Sequence, residues 1–185
     1  MTTVTQKKPD LSALIDPAVF QKLHEEAHKS TEVKRVALVA SKGTLDMAYP
    51  PLLLATTAAS MGMEVAIFFT FYGLDILNKK KLSSLKVSPI ANPAAPMPVP
   101  NILGMIPGGT YAATFVMKRM MRAQKMSTIP EFLDMCKLLN VRLIGCTTTM
   151  GIMGVKKEDL IDGVDLGGAA TFLEYAAKAQ VTLFV

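Results

Sequence analysis

Tryptophan is absent from this chain, aromatic residues make up 6% of it, and cysteine occurs only twice. So few aromatics leave little of the basic and aromatic interleaving with which single-strand binders stack bases, and nucleic acid is not an expected partner. Two cysteines cannot staple a small secreted scaffold. The opening MTTVTQKKPD is polar, with no apolar stretch behind a charged start, so no secretory leader is expected and a reducing cytoplasm is the expected compartment. Histidine is equally scarce: His24 and His28 both lie in HEEAH. That segment matches the zinc-protease pattern, in which two histidines one helical turn apart hold the metal and Glu25 serves as base. No further histidine exists to complete the ligand set, and Glu26 puts a charge inside the motif, so a solvated helix face is the better reading. No metal or cofactor is expected.

What is present describes a globular protein. With 185 residues and 50% hydrophobic content, the chain is long enough for one domain with a proper core and short for two. A formal charge of +5 favours anionic partners in general without choosing among them. The apolar stretch from Met47 to Leu77 approaches the length of a membrane span, but Gly62, Glu64 and two prolines interrupt it. A buried parallel strand also reads as continuous hydrophobics, and a soluble βαβ unit fits better.

Along the chain, residues 1–10 read as a loose tail, and Asp16 with Pro17 caps a short amphipathic helix. RVALVA from Arg35 is a buried strand, and SKGTLD is a turn in which Gly43 supplies a conformation costly for other residues. MAYPPLLLATTAASMG is a helix stopping near Gly62, and EVAIFFTFYG is a second strand, rich in β-branched and aromatic residues. Strand, turn, helix and strand in that order make a βαβ unit with a right-handed crossover. From Ser88 to Gly109 proline is too dense for helix or central strand, which predicts a long irregular excursion.

Residues 110–126 then form a basic amphipathic helix. Lys118, Arg122 and Lys125 share one face, and Phe115, Val116, Met117, Met120 and Met121 lie on the apolar side. Such a helix packs on its own domain or a sister subunit, or lies as a peripheral contact on an anionic membrane. STIPEFLDMCKLLN is a helix capped by Ser127 or Thr128, with Pro130 and Glu131 in its first turn, ending near Asn140. VRLIGC is a third strand, GVKKEDLIDGVDLGG a connecting segment around a short helix, AATFLEYAAKAQ a final helix and VTLFV a last strand. The alternation predicts an α/β sandwich of the doubly wound kind.

The chemistry concentrates at Cys146. An apolar run delivers a thiol into a Thr/Met/Gly loop, the place where an open α/β sheet presents reactive groups beyond its carboxyl edge. A thiolate attacks sulfane sulfur or an S–S bond, and its reactivity follows a lowered pKa and access. Thr147, Thr148 and Thr149, with the loop amides, are candidates to hydrogen-bond a thiolate or sulfonate oxygen, and Lys156 and Lys157 add positive potential. The competing reading is an inert buried thiol. Cys136, ten positions earlier, has neither thioredoxin-like nor zinc-ligand spacing to it, and its neighbours Phe132, Leu133, Met135 and Leu139 suggest a helix-core position. SKGTLD lacks both nucleotide-binding glycine signatures, which leaves Lys42 and Gly43 as weak candidates for an anion contact.

The segment SKGTLDMAYPPLLLATTAASMGMEVAIFFTFYGLDIL, the stretch ending in PNILGMIPG, the cysteine after VRLIG, and IMGVKKEDLIDGVDLGGAATFLEYAAKAQVTLFV together resemble the DsrE/DsrF/DrsH-like family, in its branch of larger DsrE-like proteins, over roughly Val33 to Val185. The resemblance implies a DsrE-like (flavodoxin-like) three-layer sandwich with a mainly parallel sheet over residues 33–185, behind a tail and short helix over 1–32. It also implies homo-oligomers and cytoplasmic traffic in sulfane sulfur or thiosulfate during sulfur oxidation or thiolation. The family's sulfur-accepting cysteine falls on Cys146, which would carry a persulfide or thiosulfonate and exchange it with a TusA-like carrier or a rhodanese, often beside heterodisulfide-reductase-like complexes. In this setting Cys136 is a candidate second thiol, and Lys42 and Gly43, with Thr147, Thr148 and Thr149, are candidates for substrate binding. The chain departs from many relatives just downstream: where they read Cys, Gln, Met, Ser, Met, Asp, it has Thr147, Thr148, Thr149, Met150 and Gly151 after the cysteine. The missing acidic neighbour points to a different anion or donor. Carrier and sulfurtransferase are both open, and the alternative from another class is an oligomeric scaffold that tethers a sulfur-trafficking complex to a partner or membrane surface.

Overall fold

RVALVA and EVAIFF form β1 (Arg35–Ala40) and β2 (Glu64–Phe69), which run parallel with Leu38 opposite Ile67. Ala37, Leu38, Ala66 and Ile67 are fully buried, so both faces of these strands are covered, and this is why they read as unbroken apolar runs. The structure, a computed structural model, describes residue 18 and residues 33–88 and 108–185. The helix start at Asp16 and Pro17, the HEEAH segment and nearly all of the proline-rich excursion lie outside the described residues. The chain divides into two units, Met1–Val33 and Lys34–Val185, and the fold below is that of the second.

The helices α1 (Leu45–Ser60), α2 (Gly109–Ala123) and α3 (Ile129–Leu138) fall between β1 and β3 (Arg142–Cys146). Beyond β3 come α4 (Thr147–Met153), β4 (Val164–Gly167), α5 (Ala169–Ala176) and β5 (Val181–Phe184). Five strands make one sheet in the order β4-β3-β2-β1-β5, every pairing parallel. α1 and α3 cover one face through Leu45, Leu52, Phe132 and Leu133. α5 covers the other, where Phe172 stacks on Phe68 with ring centroids 5.0 Å apart. This is the expected α/β three-layer sandwich.

Local signals explain most of these elements. Thr128 caps α3, its backbone N–H donating to the Glu131 carboxylate at 2.7 Å, and Pro130 takes a first-turn position where its missing N–H costs nothing. The stretch from Met47 to Leu77 resolves into most of α1, then β2 and a 3₁₀ helix, Phe71–Ile76. Among the described residues no helix is long and apolar enough to cross a membrane. α2 buries only Thr114 fully; Met117 and Met121 pack against the core, while Phe115, Val116 and Met120 stand exposed. Lys125 falls beyond the helix end, in a turn with φ of 53°.

One expectation needs correction. GVKKEDLIDGVDLGG is more than a connection around a short helix, because after a 3₁₀ turn at Lys157–Asp159 it contributes β4. VDLG carries little strand signal of its own. Its extended form comes from pairing with β3, Leu143 opposite Val164 through Cys146 opposite Gly167, reinforced by a 2.7 Å ion pair between Arg142 and Asp165.

β4 also defines where a site can form. The chain leaving β3 runs over the first face, where Met150 and Leu160 join the α1/α3 core. The chain leaving β4 crosses to the second face through Phe172. Adjacent parallel strands whose continuations diverge to opposite faces open a crevice at their carboxyl ends, the usual ligand position in open α/β sheets. Cys146 ends β3 at that crevice.

Candidate functional site

Cys146 is the last residue of β3 and the N-cap of α4, 6% exposed, with its side chain on the α5 face of the sheet. The first amides of a helix have no intrahelical partner. Here the amides of Thr148 and Thr149 face the sulfur, without closing a formal capping hydrogen bond. Burial pushes the Cys146 thiol up, but the side chain and backbone of Thr149, the Thr70 hydroxyl and the Thr148 backbone together outweigh it and hold the thiol below its ordinary value. A hydrogen bond offered to the charged form is what favours thiolate over thiol.

The three threonines divide by position. Thr149 is buried, and its Oγ1 lies 3.0 Å from Thr70 Oγ1 while accepting a hydrogen bond from the Phe71 backbone N–H at 3.3 Å. Thr147 and Thr148 are exposed at the crevice, and Thr147 Oγ1 is the nearest atom to where a side chain on Gly168 would begin. Phe71, Tyr72 and Ile152 stand exposed on the segments that follow Thr70 and Thr149 and give the site an apolar surround.

Thr70 and Phe71 were not anticipated from sequence. The signal was available in the register of neighbouring strands: Phe69 pairs with Gly145, so the next residues along, Thr70 and Cys146, come side by side at the carboxyl edge. Phe71 has φ of 46°, the left-handed region, which turns its N–H toward Thr149.

Lys42 lies exposed in the loop after β1, with β2 between that strand and β3, and takes no part in the hydrogen bonds at the sulfur. Gly43 needs correcting in its reason: its φ is not in the left-handed region, and what demands glycine is close approach, since a Cβ there would overlap the Tyr72 carbonyl oxygen. Lys156 is engaged with Glu158 at 3.6 Å, and Lys157 is exposed in the 3₁₀ turn. Cys136 is fully buried in the α1/α3 core, so the sheet stands between it and Cys146, and desolvation pushes its thiol up to about 12. Among the described residues no cluster of His, Cys, Asp or Glu could hold a metal ion.

The thiol thus stands at the switch-point crevice between β3 and β4, with the end of β2 on its other side. The DsrE/DsrF/DrsH-like family matches this chain over residues 32–184. The chain belongs to that family. A DsrE-like relative from Allochromatium vinosum, named sulfur carrier protein DsrE2, is 41% identical over 160 residues, which span 83% of this chain and 99% of that protein. The uncharacterized protein YrkE of Bacillus subtilis is 29% identical over 164 residues, 83% of this chain and 98% of its own length. The crystal structure of the ychN protein from E. coli superposes with a TM-score of 0.51 at 14% identity, covering 83% of this chain and all of that one. At that identity the likeness establishes the DsrE-like fold.

Proposed function

We propose that this DsrE-like protein is a cytoplasmic sulfur carrier that holds a persulfide or thiosulfonate on Cys146 and passes it to a partner thiol. The observation that carries the reading is the thiol at the end of β3, surrounded by hydroxyl and amide donors that favour thiolate, in a chain 41% identical to a named sulfur carrier. With a sulfane donor R–S–SH, the Cys146 thiolate attacks the outer sulfur and the donor S–S bond breaks. A Cys146–S bond forms, the proton stays on the transferred sulfur, and RS⁻ leaves with the electron pair. With tetrathionate, attack on an inner sulfur gives the Cys146 thiosulfonate and releases thiosulfate. Thr147 and Thr148, exposed at the crevice, are placed to meet the incoming anion, and Lys42 with Gly43 would contribute only if a larger donor reaches across β2.

A TusA-like carrier or a rhodanese is the proposed exchange partner, and Cys136 is proposed as a core residue. Homo-oligomerisation is supported by apolar side chains left open on α5 and the edge strand β5, among them Leu173, Leu183 and Phe184. Residues 33–185 are proposed as the DsrE-like domain, with 1–32 an N-terminal addition. Transfer tests the function directly: protein preloaded with polysulfide should persulfidate a small carrier protein, and Cys146→Ser should abolish this. Multiple turnovers would make it a sulfurtransferase.

The second reading, a scaffold for a sulfur-trafficking complex, is favoured by α2, which exposes Phe115, Val116 and Met120 beside Lys118, Arg119 and Arg122 and carries no acidic residue. On that reading Cys146→Ser would leave partner binding and sulfur flux intact.

A further inference from the structure

We propose that the cleft between α1, α2 and α3 docks an acidic segment of a partner protein, which seats one apolar side chain in the cleft and sets its carboxylates on Arg119 and Arg122. The inference rests on the scaffold reading's premise that α2 is a docking face, names what docks there, and does not depend on the chemistry at Cys146.

The cleft follows from how α2 is attached. Val87 N–H donates to Thr114 Oγ1 at 3.2 Å, and Lys118 Nζ donates to the Ser83 carbonyl at 3.1 Å. These bonds hold α2 along the stretch from Ser83 to Val87, while Met117 and Met121 touch the core. Beside α1 and α3 a cavity of about 250 Å³ stays open, lined by Tyr49, Met121, Met126 and Ile129 and flanked by Lys118 and Arg122. Tyr49 packs edge-on against Phe132 with ring centroids 5.9 Å apart, and Ile129 is 3% exposed, so the apolar wall is firmly seated.

Charge selects the occupant. Lys118 and Arg122, one helical turn apart, also line a second hollow of about 370 Å³ with Phe115 and Arg119. The apolar cleft and the basic hollow therefore meet across these two side chains. Arg119 and Arg122 are exposed, neither makes an ion pair among the described residues, and α2 carries no acidic residue. The Glu131 carboxylate nearby is engaged by the Thr128 N–H at 2.7 Å. An apolar recess beside two open guanidinium groups complements an apolar anchor with carboxylates next to it, since each guanidinium can take a carboxylate through two parallel hydrogen bonds.

Dimensions favour a peptide. The cleft alone is smaller than the roughly 300–1,000 Å³ of small-molecule pockets. From Phe115 to Arg122 the site runs on for about 10 Å along the helix, the length of about three extended residues. A bilayer is a poorer match, because a membrane-lying helix leads with its apolar face, whereas the apolar wall here is recessed behind Lys118 and Arg122. The cleft lies on the α1/α3 face and Cys146 on the α5 face, so a docked partner leaves the sulfur crevice open.

The test is fluorescence anisotropy of the full chain with a panel of short labelled peptides, each carrying one Leu, Phe or Met flanked by glutamates. Controls replace the glutamates by lysines or the anchor by glycine. Removing the anchor should weaken binding about ten-fold or more, the worth of one buried apolar side chain. Arg119→Gln/Arg122→Gln, two exposed changes, should weaken it roughly three- to ten-fold, and added salt should do the same in wild type. In spectra of methyl-labelled methionine, the peptide should shift Met121 and Met126 and leave Met61 and Met150 in place. The proposal is overturned if no peptide of the panel binds better than its lysine control, if the double variant binds as wild type does, or if the shifts fall elsewhere. Binding to phosphatidylglycerol vesicles, lost in the double variant and without any peptide binding, would overturn it in favour of a membrane contact. Cys146→Ser should leave peptide binding unchanged. Sulfur transfer that Cys146→Ser abolishes, with peptide binding intact, would decide against a pure scaffold and leave the docking site standing.

Discussion

Gly73 packs against Ala40 so closely that a Cβ on the glycine would overlap the Ala40 carbonyl oxygen. Gly43 meets Tyr72 in the same way, so two glycines interlock the turn after β1 with the turn after β2. This interlock fixes Thr70 and Phe71, and through them Thr149. Because the obstructing atoms are backbone, neither side can yield by changing a rotamer. Gly73→Ala is expected to cost about 2 kcal/mol or more, the range of an overpacked core. Urea denaturation should show a lowered midpoint at unchanged slope, and alkylation of Cys146 should lose its low-pH reactivity in the fraction that folds.

The two cysteines should titrate at opposite extremes. The Cys146 thiol lies below its ordinary value because of the hydroxyls and amides around it, and Cys136 is held up at about 12 by desolvation. A mass-resolved alkylation series should show Cys146 reacting at pH values below the usual thiol range of about 8.5. Cys136 should stay unmodified until the protein unfolds. Equal rates at the two sites would contradict the described geometry.

Those same displacements make stability depend on pH. Cys136 has a folded pKa above its unfolded one, so its contribution is complete below the unfolded value and is lost as pH rises from about 8.5 toward about 12. Cys146 has the opposite sign: its contribution is present above the unfolded pKa and is lost as pH falls through the folded one. Chemical denaturation between pH 8 and 11 should therefore show a decline in wild type that Cys136→Ala flattens.

Phe172 is the only fully buried side chain of α5 and the anchor of the second face. Phe172→Ala removes its stack on Phe68 and should cost about 3–5 kcal/mol, the usual range for deleting a buried aromatic ring. Cys146 belongs to the same cluster. Its alkylation rate should rise in this variant as the cover loosens, a change that a purely global loss of stability would extend to Cys136 as well.

Much of this architecture is legible in the chain. RVALVA, EVAIFF and VRLIGC declare buried strands by apolar continuity, and Thr128, Pro130 and Glu131 mark the start of α3. Cys146 stands out because a strand ends in a thiol. β4 is not legible, since Asp165 and Gly167 are poor strand formers and only the ladder with β3 holds them extended. Thr70 is hidden for a related reason. It is one polar residue after an apolar run, and its meaning depends on β2 lying next to β3, which tertiary pairing decides. Gly43 was visible as a required glycine, but the requirement comes from the Tyr72 carbonyl, a contact made by a residue 29 positions later.

The central claim is that Cys146 accepts sulfur. Intact-mass spectrometry of the reduced protein, before and after polysulfide and separately tetrathionate, tests it most directly, with Cys146→Ser and Cys136→Ser alongside. The account predicts an added mass of about 32 Da per sulfur from polysulfide or about 112 Da from tetrathionate, retained in Cys136→Ser and lost in Cys146→Ser. No adduct under either condition, or an adduct that survives Cys146→Ser, would contradict it.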